Sequence, residues 1–393
     1  MTSQKTEATA IPFYRDERIL KIIAQIVSTV AIFGFLVWAV INFIKAADAR
    51  NMELSFGFLN EAAGFPISNP PIEYEAGMTY GRAFLAGLVN TLLISGVGIV
   101  AATIIGTLVA LARLSSNWLL SKIALVFIEF HRNIPLLVLL FIWYFVVFSF
   151  VPPVDESLVL AGPTYINKRG IFLSWPRVSD TGLIFVILSS IGLILAIIVF
   201  IILRKRRQTT GKKTYFVPVS IGLLLIFFFA GWFISGGSPF QMDIPFQEGF
   251  NFHGGLLLTP EFTGMFLSLS LYTAAFIAEV VRGGIQAVNK GQIEAARAVG
   301  LNQFQVLTLV VMPQALRIII PPMISQYLNL TKNSSLALAI GFQEFFAVGK
   351  IAINQAGRAV PVFGLIMITY LSLSLLTSFI LNIYNRRIQF VVR

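Results

Sequence analysis

Seven stretches of this 393-residue chain run without a charged side chain for long enough to cross a lipid bilayer. They are Ile22 to Ile44, Phe84 to Ala112, Ile134 to Val151, Gly182 to Leu203, Phe216 to Ser235, Phe262 to Ala278 and Val360 to Ile383. A span needs about 20 apolar residues, because inside hydrocarbon every backbone polar group must be bonded within a helix. An eighth, shorter run from Ile318 to Leu330 is interrupted by Pro321-Pro322. The runs predict an all-α membrane protein with about eight transmembrane helices. Composition agrees: 56% of residues are apolar and 12% charged, about half the roughly 25% of a soluble domain. That balance excludes a soluble enzyme, a disordered chain and a disulfide-stapled secreted domain. The chain has no cysteine and two histidines, His131 and His253, so neither a cysteine-ligated nor a histidine-rich metal site is expected.

Ala47-Asp48-Ala49 has the small-x-small form of a signal-peptide cleavage site. A signal h-region is about 7–15 residues, much shorter than the first run, which therefore reads as an uncleaved anchor.

The net charge of +11 is explained by where the cations lie. Lys and Arg accumulate on the cytoplasmic side of membrane proteins. Arg204, Lys205, Arg206, Arg207, Lys212 and Lys213, with no acid among them, make the link between the fourth and fifth runs cytoplasmic. The C-terminus, Arg386-Arg387 through Arg393, is basic too. The link after the fifth run holds Asp243, Glu248 and Glu261 without a cation and belongs outside. The link after the first run, with five acids against three bases, also belongs outside. Eight spans with both termini cytoplasmic satisfy all four assignments. The basic tract is thus a membrane flank rather than a nucleic-acid footprint. Gly211-Lys212-Lys213-Thr214 lacks the earlier glycine of a phosphate-binding loop, since Arg206 stands there, so this chain has no such ATP site.

The sixth run leads into a cytoplasmic segment, Lys290-Gly291-Gln292-Ile293-Glu294-Ala295-Ala296-Arg297-Ala298-Val299-Gly300. It predicts a short helix starting near Gly291 and stopped by Gly300, the usual residue for a left-handed cap. Glu294 lies toward the positive end of that helix's dipole. Ala295, Ala296 and Ala298 leave a smooth face that suits docking on another protein rather than catalysis.

This segment resembles the signature of the permease subunits of bacterial ABC importers: E-A-A, three residues, G, nine residues, then I-x-L-P. Here Glu294-Ala295-Ala296 is followed by Gly300, and nine residues later come Val310, Val311, Met312 and Pro313, with Val and Met in place of Ile and Leu. Glu129 to Leu137 resembles the E-x-x-R-x-x-P-L-L segment of the polar amino acid permeases. Val311 to Arg317 resembles their V-x-P-Q-A-L-R, and Leu330 to Leu336 their L-x-K-[DN]-[ST]-S-L. The resemblance covers roughly residues 80–150 and 262–387. It implies an importer core divided as 81–151 and 262–393, an N-terminal anchor helix and periplasmic loop at 1–80, and an insert at 152–261 holding two extra spans. An even number of inserted spans leaves the downstream topology unchanged. Such enlarged chains resemble the bigger subunit of importers for general L-amino acids or for glutamate, glutamine, aspartate and asparagine.

The resemblance further implies a bacterial inner-membrane transport subunit that is not itself an enzyme. Its implied partners are a second permease, a pair of ATPases carrying ATP and Mg, and a periplasmic amino-acid-binding protein; no cofactor is expected on this chain. The ATPase-coupling set is Gln292, Glu294, Ala295, Ala296 and Gly300.

A candidate solute pathway follows the proline-broken run. Lys332 suits the carboxylate of an amino acid, with Asn333, Ser334 and Ser335 beside it. The other reading has Lys332 snorkelling at the outer interface and the serines capping the next helix. Glu279 joins the pathway set as an acid near a span, although Arg282 stands one helical turn away. Glu129, His131 and Arg132 have the charges to neutralise one another near the cytoplasmic boundary and read as structural. An ion-driven secondary transporter is the alternative; it calls for acids in mid-span, and of the acids only Glu279 comes near.

Overall fold

The structure is a computed structural model and describes residues 17–49, 53–160, 162–249 and 251–388. Arg393, with the rest of 389–393, and the first sixteen residues lie outside the described residues. Among those described, seven helices are long and apolar enough to span a membrane, or eight if one bent pair is counted as a span. The long helices are α1 (Glu17–Ala49), α2 (Tyr80–Arg113), α5 (Gly182–Thr210), α6 (Phe216–Ile234), α7 (Pro260–Gln286), α10 (Met312–Asn333) and α12 (Ala359–Ile388).

The bent pair corrects one expected span. The run Ile134 to Val151 is not a straight helix of its own. It forms α4 (Leu136–Phe141) and a π-helical turn (Ile142–Val147), which follow α3 (Trp118–Asn133) at an angle of 107°. Pro135 explains the break: it supplies no N–H and disfavours a helical residue before it, so α3 ends at Asn133 with Ile134 extended. The second correction concerns Pro321-Pro322. Both lie inside α10 without ending it, and helix runs from α9 (Gln303–Gln305) through a π-helical turn (Val306–Val311) into α10. The interruption falls later, at a 3₁₀ stretch, Ser334–Ile340, closed by Gly341 at φ +80°. After it comes α11 (Phe345–Ala356).

α7 is the central helix. Its apolar window is 61% buried, against 28% for α2 and none for α1. The buried face of α7 is built from Gly264, Ser268, Ser270, Thr273, Ala274, Ala275 and Ala278, small residues that let neighbouring backbones approach in lipid. α2 meets it at Gly106, where an added Cβ would lie 2.7 Å from the carbonyl oxygen of Ala274 and 2.8 Å from Ile277. α3, α4 and α10 complete the bundle around α7. α5 and α6 instead pack on each other, with Gly192 against Phe227 and Gly231 against Phe185. Their windows are only 11% buried, leaving most of the hairpin for lipid.

The outer links carry small strands that apolar periodicity did not disclose. β1 (Leu158–Leu160), β2 (Thr164–Asn167) and β3 (Gly170–Leu173) form an antiparallel sheet with β8 (Leu256–Leu258). β4 (Trp175–Val178) pairs with β5 (Phe240–Asp243), and β6 (Phe246–Glu248) with β7 (Asn251–His253). β5 to β8 lie in the link that the charge pattern assigns to the outside, and the pairing of β3 with β8 and of β4 with β5 puts β1 to β4 on the same side. The sheet joins the two ends of the α5–α6 hairpin, with Phe172 opposite Leu257. Asn69 donates to the carbonyl of Leu257 at 2.8 Å, tying the earlier outer loop to the same sheet. That loop packs Phe58, Phe65 and Tyr74 against the start of α2 and against α11, and Glu53 pairs with Arg358.

Gly106→Ile should overpack the α2–α7 contact and lower stability by about 1–3 kcal/mol. Thermal unfolding of the detergent-solubilised protein reads this, and an unchanged transition would contradict the packing described.

Candidate functional site: a cytoplasmic helix and a polar node within the bundle

The expected cytoplasmic helix is α8 (Lys290–Ala298). Asn289 caps its start, its Oδ1 accepting from Gly291 N–H at 2.8 Å. At the other end, Leu301 N–H donates to Ala296 O at 3.2 Å and Gly300 N–H to Arg297 O at 3.0 Å. This is a Schellman closure, which requires the left-handed backbone that Gly300 adopts at φ +86°. Gln292, Glu294 and Ala295 are exposed, whereas Ala296 is buried. The smooth alanine face is therefore divided. Ala296 is on the face turned to the bundle, in one core with Val281, Val288 and Val306, and Ala295 and Ala298 remain exposed.

Two apolar side chains beside α8 were not foreseen. Val299 is 77% and Phe304 73% exposed. Phe304 sits in a short helix fixed by a capping box, in which Asn302 and Gln305 exchange side-chain-to-backbone hydrogen bonds at 2.9 Å each. The pattern L-N-Q-F-Q was the available signal: a capping asparagine ahead of an aromatic residue in a polar loop.

Glu279 and Arg282 form an ion pair at the inner end of α7, at 2.7 Å, with Arg282 also donating to Gln286 at 2.7 Å. The charges near the break between α3 and α4 are arranged differently from the expected mutual neutralisation. Glu129 accepts from Asn133 at 2.9 Å, Arg132 lies 5.3 Å over the ring of Phe276, and buried His131 bonds the carbonyl of Phe127 through Nδ1. Each charge finds a neighbour on its own turn or on α7 rather than in the trio.

The Lys332 cluster is split by the geometry. Ser334 is buried and donates back to Thr331 O at 2.8 Å, and Ser335 donates to Lys332 O at 2.9 Å. Both hydroxyls thus satisfy carbonyls at the end of α10 instead of capping the next helix. Lys332 and Ser335 line a cavity of about 320 Å³ with Phe346, Tyr370 and Ser374. Asn333 and Ser334 do not line that cavity, and Glu279 belongs to the opposite end of α7.

The cap of α11 comes from Glu344, a residue that reading the sequence missed. Glu344 is fully buried; Oε1 accepts from Ala347 N–H at 2.8 Å, and Oε2 accepts from the Tyr370 hydroxyl at 2.6 Å. The Thr91 hydroxyl lies 3.2 Å from Oε2 and accepts from Phe345 N–H at 3.1 Å. Next to it, Asn90 donates to Gln343 O at 2.9 Å, and Gln343 exchanges bonds with Ser68 N–H and Pro66 O in the outer loop. Thr91 and Tyr370 each lie eleven residues into their helices, about 17 Å from the outer ends, so the carboxylate is buried within the spanning parts of α2 and α12. The expectation that only Glu279 approaches mid-span is therefore corrected. The signal was present in Phe342-Gln343-Glu344-Phe345, two strongly polar residues between aromatic ones. Close approach is again enabled by glycine: a Cβ on Gly87 would lie 2.9 Å from Val348 and 3.1 Å from the Phe345 backbone.

The fold and these features define a multi-pass membrane protein built around a broken helical core, with a short helix capped at both ends between α7 and α10. Residues 214–390 match the family model described as "Binding-protein-dependent transport system inner membrane component". The chain is 45% identical over 387 residues to the general L-amino acid transport system permease protein AapQ of Rhizobium johnstonii, covering 96% of this chain and 94% of that one. It is 37% identical over 407 residues to the glutamate/glutamine/aspartate/asparagine transport system permease protein BztB of Rhodobacter capsulatus, covering 95% of each. The chain belongs to the amino acid permease subunits of ABC transporters, and it is a multi-pass protein of the inner membrane and a transport component rather than an enzyme.

Glu344→Ala should leave Tyr370 and the first turn of α11 short of an acceptor and cost about 1–3 kcal/mol. Glu344→Gln, which keeps an acceptor oxygen, should cost less. Equal unfolding temperatures for the wild type and Glu344→Ala would contradict the role assigned to the carboxylate.

Proposed function

We propose that this chain, paired with a second permease, forms the pathway for an L-amino acid delivered by a periplasmic binding protein. ATP and Mg reside on two ATPase subunits beneath it, and α8 with Gly300 is the element seated on them. The observation that carries this reading is α8 itself: a helix capped at both ends, exposed along Gln292, Glu294 and Ala295, and anchored to the bundle by Ala296. A rigid lever of this kind transmits the difference between two ATPase states by fit, without reactive groups. Val299 and Phe304 add apolar area at its edge, the kind of surface a partner groove covers.

The solute's carboxylate is assigned to Lys332, whose cavity also offers the hydroxyls of Ser335, Tyr370 and Ser374. Its volume is close to the lower end of ligand pockets. Residues 81–151 and 262–393 form the transporting core in this scheme, 1–80 the anchor and periplasmic loop, and 152–261 an accessory insert. Nothing favours coupling to an ion gradient: Glu344, the fully buried acid of the bundle, is enclosed by the bonds that cap α11.

Reconstituted complexes test the assignment. Gly300→Val forces a branched side chain into left-handed backbone, and Glu294→Ala removes the exposed carboxylate of α8. Both should abolish ATP-driven amino acid uptake while the chain remains in the membrane. Lys332→Ala should reduce uptake about tenfold or more and leave ATPase co-purification intact. Full uptake by this chain alone on a proton or sodium gradient would sink the proposal, and unchanged uptake by Lys332→Ala would retire the solute assignment.

A further inference from the structure

The cytoplasmic tip of the α5–α6 hairpin is more than a run of cations. Gly211 closes α5 in left-handed backbone at φ +69°, its N–H bonded to Arg207 O at 3.0 Å. The Thr214 hydroxyl then donates to Leu203 O at 3.0 Å, folding the link back along the last turns of α5. Tyr215, at φ +42°, redirects the chain into α6. The result is a cavity of about 250 Å³ lined by Arg207, Lys213, Thr214, Tyr215, Phe216 and Pro218, together with Val217. Arg207 lies 5.6 Å over the ring of Phe216, which holds the guanidinium at the rim.

Three observations bear on what this cavity takes. No acid occurs between Asp180 and Asp243, both on the outer side, and among the described residues no ion pair involves the 204–213 tract. Two cations therefore converge on one cavity without a protein counter-charge. The cavity also sits where the exposed apolar surface of the hairpin ends: Ile201 and Ile202 on α5 and Val217 and Val219 on α6 are exposed directly beside it. A ligand held there meets cations at one end and hydrocarbon-facing side chains at the other. Finally, the tract is on the cytoplasmic side, facing the leaflet whose anionic lipids attract juxtamembrane Lys and Arg.

We propose that this tip is a binding site for the headgroup of an anionic phospholipid of the inner leaflet, with Arg207 and Lys213 on its phosphate and the acyl chains along Ile202 and Val217. A nucleic acid or a free anion would satisfy the cations and leave the apolar end of the site without a role. The insert thereby acquires a function of its own: it anchors the hairpin, which packs mainly on itself, to a particular lipid at the inner surface.

The test is a lipid titration of the full chain purified with its partner subunits, read by native mass spectrometry. Wild type should retain phosphatidylglycerol in preference to phosphatidylcholine. Arg207→Gln combined with Lys213→Gln should lower phosphatidylglycerol affinity about 25-fold, from the loss of two cations at the membrane surface. Lys205→Gln combined with Arg206→Gln removes the same charge outside the cavity and should lower it much less. Arg207→Lys with Lys213→Arg should keep the affinity, which separates lost charge from a misfolded tip. Equal losses in the two charge-removing doubles, or equal retention of both lipids, would overturn the proposal. Displacement of the lipid by millimolar inorganic phosphate, or by a duplex oligonucleotide at physiological salt, would overturn it as well.

Discussion

At the centre of a bilayer no water is available to a backbone N–H or C=O, and the rest of this structure follows from that shortage. Wherever the chain crosses, it is helical, and wherever the helix fails, another part of the chain supplies the missing bonds. The stretch from Ser334 to Phe345 is the clearest case. Its 3₁₀ turn ends at Gly341, and the next helix starts deep in the bundle, so its first N–H groups need acceptors there. Glu344 provides one and Thr91 another, while Tyr370 and Asn90 tie the same node to α12 and α2. A single carboxylate thus joins three helices, and Gln343 extends the node to the outer loop. An isolated carboxylate at that depth would be costly, and its hydrogen-bonded partners are what make it tolerable.

The same shortage sorts charge by depth. Cations collect at the inner ends of helices, acids in the outer links, and the ion pair Glu279–Arg282 stays near the inner end of α7. What remains accessible in the cytoplasm is a short helix with a defined start and stop. Its rigidity comes from local chemistry, Asn289 at one end and Gly300 at the other, and its attachment from the burial of Ala296. A mechanical coupler requires those two properties together, because a helix that frays or swivels would absorb a partner's movement instead of passing it on.

Much of this was legible from the residues. The spans of α1, α2, α5, α6, α7 and α12 follow from uncharged runs, and α8 from its glycine stop. The limb α3 was not, since Lys122, Glu129 and Arg132 interrupt its apolar residues and conceal a helix that is amphipathic rather than oily. The outer strands were not, because three or four residues are too few for alternation to register. Pro321-Pro322 suggested a break that tertiary packing overrides, whereas the actual break has no proline at all. Glu344 was missed for a different reason: its meaning depends on Thr91, 253 positions away in the chain. The division of the alanines is a matter of phase, since neighbours one residue apart on a helix point about 100° apart and Ala295 and Ala296 cannot share a face.

The central claim is that α8 meets an ATP-hydrolysing partner and moves with it. A photocrosslinking residue placed at Ala295, exposed on α8, tests this in the assembled transporter. The account predicts an adduct with a P-loop ATPase subunit whose yield changes between the nucleotide-free and ATP-bound states. No adduct with an ATP-binding protein, or one whose yield ignores nucleotide, would contradict it.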